Sequence, residues 1–372
     1  MDETIKELTL ALSDCQNEIL ALKKQNQTYE QMLQAMKESL HVFMDSFSEI
    51  INTCDALTQK SNEHAVQLSN LDFHAQYFLQ CISNMKYELF DPNINLESLF
   101  YPHILDASVA IDEIIQNRKS LARFGDGEFA IMMKVERQKF QRIDDKLSRR
   151  LYETLHSTHP DLLVAIANNY GSLDQYNAQG ALGIRLYMTD EVRAAHKMLL
   201  EPDRVYYDAY LSRPYALYKD NYTDAPRKRF DHLKQIWQDR DVIFVEGSLT
   251  RLGVGNDLFD NAKSIRRIIA PPTSSFDRYD DILAASLEYA EADTLFLLAI
   301  GPCAGVLAND LCQNGYQAVD IGHVDLEYEW FLQGKGGRCS VPTKYNNEFI
   351  GGDEVSDLDD PLYNSQILCS FS

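Results

Sequence analysis

The chain has no glycine before Gly125 and no proline before Pro92. Those two residues end helices more readily than any others. Their absence over so long a stretch constrains the fold more than any other feature. Across it, apolar residues recur at alternating spacings of three and four. One set is Ile5, Leu12, Ile19, Asn26, Leu33, Leu40, Phe47 and Cys54; the other is Leu8, Cys15, Leu22, Tyr29, Met36, Phe43, Ile50 and Leu57. A weaker continuation runs through Leu68, Leu71, Ala75, Phe78, Ile82, Met85 and Leu89. This is the a/d register of a coiled coil. A single helix over that length would run roughly 130 Å at 1.5 Å per residue. Asn26 at an a position suits a parallel dimer of fixed register. The competing arrangement is a helical hairpin within one chain. Its break would fall in TCDALTQKSNEHAVQ, where Ser61 and His64 interrupt the seam. Residues 1–90 are thus expected to be a helical coiled coil that spaces or joins proteins and carries no chemistry.

The segment YELFDPNINLESLFYPH (87–103) ends the helix, and residues 91–109 read as a linker. Beyond it, short apolar runs alternate with helical patterns. SLARFG, DLLVAIANN, RVYYDAYL, DVIFVEG, SIRRIIAPP, TLFLLAIG and QAVDIG read as strands, and several are apolar throughout, as strands buried on both faces are. The fold class is α/β, a Rossmann-like and mostly parallel sheet spanning 110–350. Ligands of such sheets bind beyond the carboxyl ends of the strands. Residues 351–372 are acidic and read as a loose tail.

The charge balance narrows the function. A formal net charge of -21 on 372 residues provides no basic face for nucleic acid. It leaves room for a small phosphorylated ligand held by local arginines or a metal ion. No apolar run nears the roughly 20 residues of a membrane span. The N-terminus is acidic and lacks the features of a signal peptide. The seven cysteines form no CxxC pair and read as reduced thiols. A cytoplasmic protein is expected.

Four polar motifs fall at strand ends. In LARFGDGEFA (121–130), Asp126 and Glu128 stand one residue apart, each preceded by a glycine. Two carboxylates so placed offer hard oxygen ligands to Mg²⁺ or Mn²⁺ shared with nucleotide phosphates. The same residues also make an ordinary Gly-Asp-Gly turn with an acidic residue opening a helix. In DVIFVEGSLTRLGVGNDLFDNA (241–262), a strand runs into Gly247, Gly253 and Gly255, with a helix expected near Asn256 and Asp257. Backbone N–H groups and the helix dipole would suit a diphosphate there, with Ser248, Thr250 and Arg251 as added donors. A structural glycine turn is the alternative. In TLFLLAIGPCAGVLANDL (294–311), small residues after Gly301 permit either a ligand or tight helix–sheet packing. In QAVDIGHVDLEYEWF (317–331), His323, Asp325 and Glu327 would share one side under strand-like alternation and offer a metal ligand or a general base.

Six phrases taken in order carry a resemblance: RFGDGEF, LSRPY after Asp208-Ala209-Tyr210, VEGSLTRLGVGNDLF, RRIIAPP, LLAIGPCAGVLANDL and GYQAVDIGHVDLEYEWF. Together they resemble the GT-D type glycosyltransferases across residues 110–350. The resemblance implies a UDP-sugar donor, typically UDP-glucose, and an Asp-x-Glu motif at Asp126 and Glu128. It also implies a divalent ion, Mn²⁺ or else Mg²⁺, between these carboxylates and the diphosphate. Family members extend O-linked glycans on serine-rich bacterial surface adhesins. Within that frame Glu128 is the metal ligand, Asp126 binds metal or ribose, and His323 contacts metal or diphosphate. Arg123, Arg213 and Arg251 are candidates for diphosphate and orientation work, and the glycine loop (Gly125, Gly247, Ser248, Gly253, Gly255, Asn256) for donor binding. Asp325, then Glu327, is the candidate base. The coiled coil lies outside the resemblance and would join a homodimer or a partner glycosyltransferase. Where the family often has Gly-Pro-Thr-Ala-Thr, Cys303 and Gly305 replace the threonines here. Two rivals are a methyltransferase-like enzyme using the Gly301 turn and a non-catalytic scaffold with a degenerate domain.

Overall fold

The computed structural model describes residues 2–88, 100–135, 141–346, 352 and 354–371. It divides into two compact units, Met1–Phe78 and Leu79–Ser372. Residues 91–99 of the expected linker lie outside the described residues, as do the side chains of Ile5, Leu8, Leu12 and Cys15.

The first unit is helix throughout. Helix α1 runs from Asp2 to Glu88 without interruption. The break that the competing hairpin needs at Ser61 and His64 is not there: polar residues on the seam leave the backbone hydrogen bonds intact, and no Gly or Pro forces a turn. Its apolar stripe faces outward, with Leu33, Leu40, Phe43, Phe47 and Ile50 all more than half exposed.

Among the described residues, the second unit is built on nine parallel strands in the order β1-β4-β3-β2-β8-β7-β5-β6-β9. In chain order they are β1 (His103–Leu105), β2 (Ser120–Phe124), β3 (Leu162–Ile166), β4 (Val205–Asp208), β5 (Asp241–Gly247), β6 (Ser264–Ala270), β7 (Leu295–Ala299), β8 (Gln317–Asp320) and β9 (Ile367–Ser370). The seven runs expected from sequence are all strands. Their continuous apolar character follows from burial on both faces, since β3 and β7 contain no exposed residue.

The helices are α2 (Ala107–Gln116), α3 (Asp126–Met132), α4 (Asp145–Leu155), α5 (Ala178–Tyr187), α6 (Asp190–Leu199), α7 (Ala225–Lys234), α8 (Tyr279–Tyr289), α9 (Ala304–Gln313), α10 (Val324–Gln333) and α11 (Pro361–Gln366). Side-chain caps start several of them: Asp106, Asp144, Asn177 and Thr189 each accept a backbone N–H of the first turn. One core packs α3, α4, α8 and α9 against the sheet through residues such as Phe129, Leu151, Ile282 and Leu307. A second, on the other face, packs α2, α7 and α10 through Ile111, Phe230 and Trp330.

The segment read as a loose tail is ordered where it is described. Asp360 caps α11 through the N–H groups of Leu362 and Tyr363, and β9 then pairs with the edge of β6. Charge had masked a short apolar strand, ILCS, that covers an otherwise open sheet edge.

Candidate active site

Strands β2 and β8 lie side by side, and their chains leave the sheet in opposite directions. After β2, α3 drops Phe129 and Ile131 into the first core; after β8, α10 drops Val324 and Trp330 into the second. That divergence opens a crevice at the carboxyl ends of the two strands, the place where ligands bind open α/β sheets.

Arg123 and Asp320 close the floor of the crevice. Arg123 donates from Nη2 to Asp320 Oδ1 at 2.6 Å and from Nε to the Asp320 carbonyl at 2.9 Å. Its Nη1 donates to Ser212 Oγ at 2.6 Å. All three nitrogens of the guanidinium are thus engaged by protein, and Arg123 ties β2 to the end of β8 and to the turn at Ser212, a different task from the diphosphate contact expected of it. Gly322 makes room for it. Its φ is +44°, and a Cβ there would stand 2.0 Å from Arg123 Nη2.

Asp126 and Glu128 occupy the first turn of α3. Gly125 is the N-cap residue, and Glu128 Oε2 folds back to accept its N–H at 2.7 Å. The Gly-Asp-Gly turn with an acidic helix start is therefore real, and it sits at the rim of the crevice. Asp126 is exposed and Glu128 half-buried. Burial pushes the Glu128 carboxyl up to about 7; the Gly125 N–H and its own backbone oppose that, Asp320 adds to it and Arg123 offsets it.

These donors fit a hard divalent cation. Two carboxylates on one helix turn supply few protein ligands, as Mg²⁺ and Mn²⁺ prefer when a substrate phosphate provides the rest. Among the described residues no three His, Cys, Asp or Glu side chains are gathered closely enough to share an ion. His323 is therefore not assembled with Asp126 and Glu128. It precedes α10, and its Nδ1 lies 3.4 Å from Arg213 Nη2.

The strand-like alternation expected for His323, Asp325 and Glu327 does not occur. The strand ends at Asp320 and residues 324–333 are helical, so positions two apart point in different directions. Both carboxylates are buried and carry structural bonds. Glu327 Oε2 accepts the N–H groups of Tyr215 and Ala216 at 3.1 and 2.7 Å, and its Oε1 lies 3.9 Å from Arg213. Asp325 accepts from Gly253 N–H at 3.0 Å and Asn256 Nδ2 at 2.9 Å, and pairs with Lys344 Nζ at 2.6 Å. Neither has an oxygen held ready for proton transfer.

The glycine loop after β5 is also a brace. No helix forms between β5 and β6, so the helix N-terminus expected near Asn256 does not exist. Gly253 and Gly255 take φ of +73° and +83°, turns that glycine adopts without strain. Gly253 and Asn256 are tied to Asp325. Arg251 is buried and donates to the carbonyls of Thr343 and Ser356 at 2.9 and 2.7 Å. Gly247 is buried at the end of β5, and Ser248 donates its N–H to the Ala270 carbonyl at 3.0 Å. In the Gly301 motif the small residue serves packing: a Cβ on Gly305 would meet the Arg123 carbonyl at 3.4 Å, so α9 lies directly on β2. Cys303 is buried, donates to the Ile300 carbonyl, and its thiol is pushed up by burial. It supplies no hydroxyl in place of the family's threonine.

Other residues at the strand ends went unassigned by sequence. Asp208 ends β4, is buried, accepts the Tyr210 N–H at 2.8 Å, and has its carboxyl pushed up to about 7 by burial. Tyr210 Oη donates to Asn169 Oδ1 at 2.6 Å. Beneath α3, the buried His196 ring stacks on Phe129 at 3.9 Å between centroids. Its nitrogens meet Tyr170 Oη at 2.6 Å and Tyr187 Oη at 2.9 Å. Burial holds the imidazole neutral, down to about 3. The residue following Glu128 thus rests on a fixed plate. The sequence signal for Asp208 and Asp320 was their place at a strand end within two of the phrases that carry the resemblance, with no spacing that marks a role.

A family model described as the glycosyltransferase GT-D fold matches residues 121–349, spanning the crevice and both of its helices. The chain belongs to the GT-D glycosyltransferases. Among solved members, a new glycosyltransferase from Streptococcus sanguinis is 34% identical, with a TM-score of 0.68 over 73% of this chain and all of that one. A domain described as highly conserved, with a distinct glycosyltransferase fold, is 31% identical with a TM-score of 0.67, over 72% of this chain and 95% of that one. Among curated relatives, glycosyltransferase GlyD of Streptococcus pneumoniae serotype 4 is 35% identical over 69% of this chain. The probable glycosyl transferase Gly of Streptococcus gordonii is 33% identical over 72%. The match spans only 31% and 39% of those two relatives, which are longer proteins. The likeness to GT-D structures covers the second unit's fold. Among the described residues, no helix is long and apolar enough to cross a membrane.

Proposed function

We propose that this GT-D member transfers a hexose, glucose in the first instance, from a UDP-sugar to a sugar hydroxyl of a growing glycan. An O-linked glycan on a bacterial surface glycoprotein, extended in the cytoplasm before export, is the acceptor this reading favours. The observation that carries it is the placement of Asp126 and Glu128 on the first turn of α3, at the rim of the β2–β8 crevice, within a chain of this family.

Breaking the sugar–phosphate bond leaves negative charge on departing UDP, and a divalent ion would supply the opposing charge. Asp126 and Glu128 would hold that ion. Gly125 and Gly127 keep the approach to the turn free of side-chain bulk. Arg123 fixes Asp320 and the 212 loop, so the crevice keeps its shape as charge shifts. Arg213, beside His323, is the arginine whose location at the rim suits the diphosphate. Acceptor deprotonation needs a carboxylate that the acceptor can reach, and Asp325 and Glu327 are both buried and bonded to backbone N–H groups. The outward apolar stripe of α1 would join the enzyme to another polypeptide, a second copy or a partner transferase.

The test is UDP release from a panel of UDP-sugars with and without Mn²⁺, for the wild type and Glu128→Gln. Release from one donor should need the ion and fall by about 100-fold or more in the variant. Calorimetry should show UDP binding that strengthens with Mn²⁺ and loses that gain in Glu128→Gln. Turnover and UDP binding indifferent to both ion and substitution would reject the reading.

A further inference from the structure

The apolar stripe of α1 has a specific occupant written into its register. We propose that the segment from Gln16 to about Lys60 pairs with the same segment of a second copy of this chain, parallel and in register. The inference goes beyond the transferase reading and does not rest on it.

Three observations lead there. The helix is unbroken from Asp2 to Glu88, so this stripe is not covered by the chain folding back on itself within that span. The stripe is left in water: Ile19, Leu22, Leu33 and Leu40 are 53%, 64%, 57% and 59% exposed. An amphipathic helix of this kind buries such a face against another element. Ile19 at an a position followed by Leu22 at d is the combination that favours two strands.

Asn26 then decides orientation and register. Its amide, placed on the seam, needs a hydrogen-bonding partner once water is excluded. In a parallel pair with no offset, each a residue faces its own counterpart, so the two Asn26 amides meet. A shift of one heptad sets Asn26 against Ile19 or Leu33, and an antiparallel pairing sets it against a d residue. The flanking charges agree. In the parallel alignment, g of one heptad faces e of the next on the other helix. Glu18 of one copy then meets Lys23 of the other, Gln25 meets Glu30, and Met32 meets Lys37, with no pair of like charges. Farther on, Cys54 occupies an a position and is exposed.

The experiment uses the full chain. Light scattering at tens of micromolar should give twice the chain mass of 42.6 kDa. With Cys15, Cys81 and Cys369 replaced by serine, a short bismaleimide should link two chains through Cys54, and Cys54→Ser should abolish the link. Leu33→Lys with Leu40→Lys should give a monomer that still releases UDP from the donor, which separates loss of pairing from loss of the transferase. Asn26→Leu, which keeps the seam apolar, should replace the single mass by a mixture of sizes. A monomeric wild type, a mass of three or four chains, a dimer that Cys54 does not link, or a double Lys variant that stays dimeric would each overturn the proposal.

Discussion

At Gly322 the backbone takes φ +44°, and the space a side chain would fill belongs to the Arg123 guanidinium. Gly322→Ala should displace that guanidinium and leave Asp320 buried without its partner. The expected cost is about 3 kcal/mol in urea unfolding, with donor turnover reduced at least as far as for Arg123→Ala. Asp208 makes a pH prediction. Burial raises its carboxyl from the ordinary 3.8 to about 7. The folded chain therefore holds a proton there that the unfolded chain releases, and stability falls as pH rises from about 4 through about 7. Asp208→Asn should flatten that part of the stability profile and stabilise the protein by a few kcal/mol at pH 8 relative to wild type, read from denaturation midpoints across pH. At this scale the sequence was partly legible. Asp126 and Glu128 drew notice because they stand one residue apart just after a strand, within a phrase of the family resemblance. Asp208, Asp320 and His196 did not, because a single titratable residue carries no spacing to read.

Elements account for the rest of what was visible and what was not. β3 and β7 announced themselves most clearly, as runs of Leu, Val, Ile, Ala and Phe buried on both faces, and the other strands of the sheet's interior did so through shorter apolar stretches. β1 and β9 are three and four residues long and sit at the sheet's edges, too short for a pattern to emerge. The larger misreading was one of period. Strand-like alternation does not describe HVDLEYEW, which opens a helix, and its first two carboxylates anchor different loops. Lys344 is the counterpart of one of them. It is 1% exposed and reaches Asp325 at 2.6 Å and Glu329 at 2.9 Å. Lys344→Met should leave both carboxylates without a positive charge and cost about 3–5 kcal/mol. An unchanged thermal midpoint would show that the segment bearing Lys344 does not brace α10.

Over the whole molecule, the two compact units divide between Phe78 and Leu79. The last turns of α1 belong with the second unit: Arg185 pairs with Glu88 at 2.8 Å, and the Arg193 guanidinium lies 3.9 Å from the centre of the Tyr87 ring. A chain starting at Leu79 should therefore fold, hold its thermal midpoint, and turn over donor within a few-fold of the full protein. One starting after Glu88 should be less stable, because Arg185 and Arg193 lose those partners.

Arg123 and Asp320 lie 197 positions apart, and β2 meets β8 in register only at Leu121 and Val319. Closing so long a loop is among the slow events of folding, since its entropy is lost before its contacts are gained. A chain emerging from the ribosome holds Asp126 and Glu128 well before it holds the strand that completes their surroundings. The crevice is thus the last part of the sheet's centre to be assembled, and a chain cut short or misfolded upstream of β8 exposes α3 and its two carboxylates without the strand that faces them.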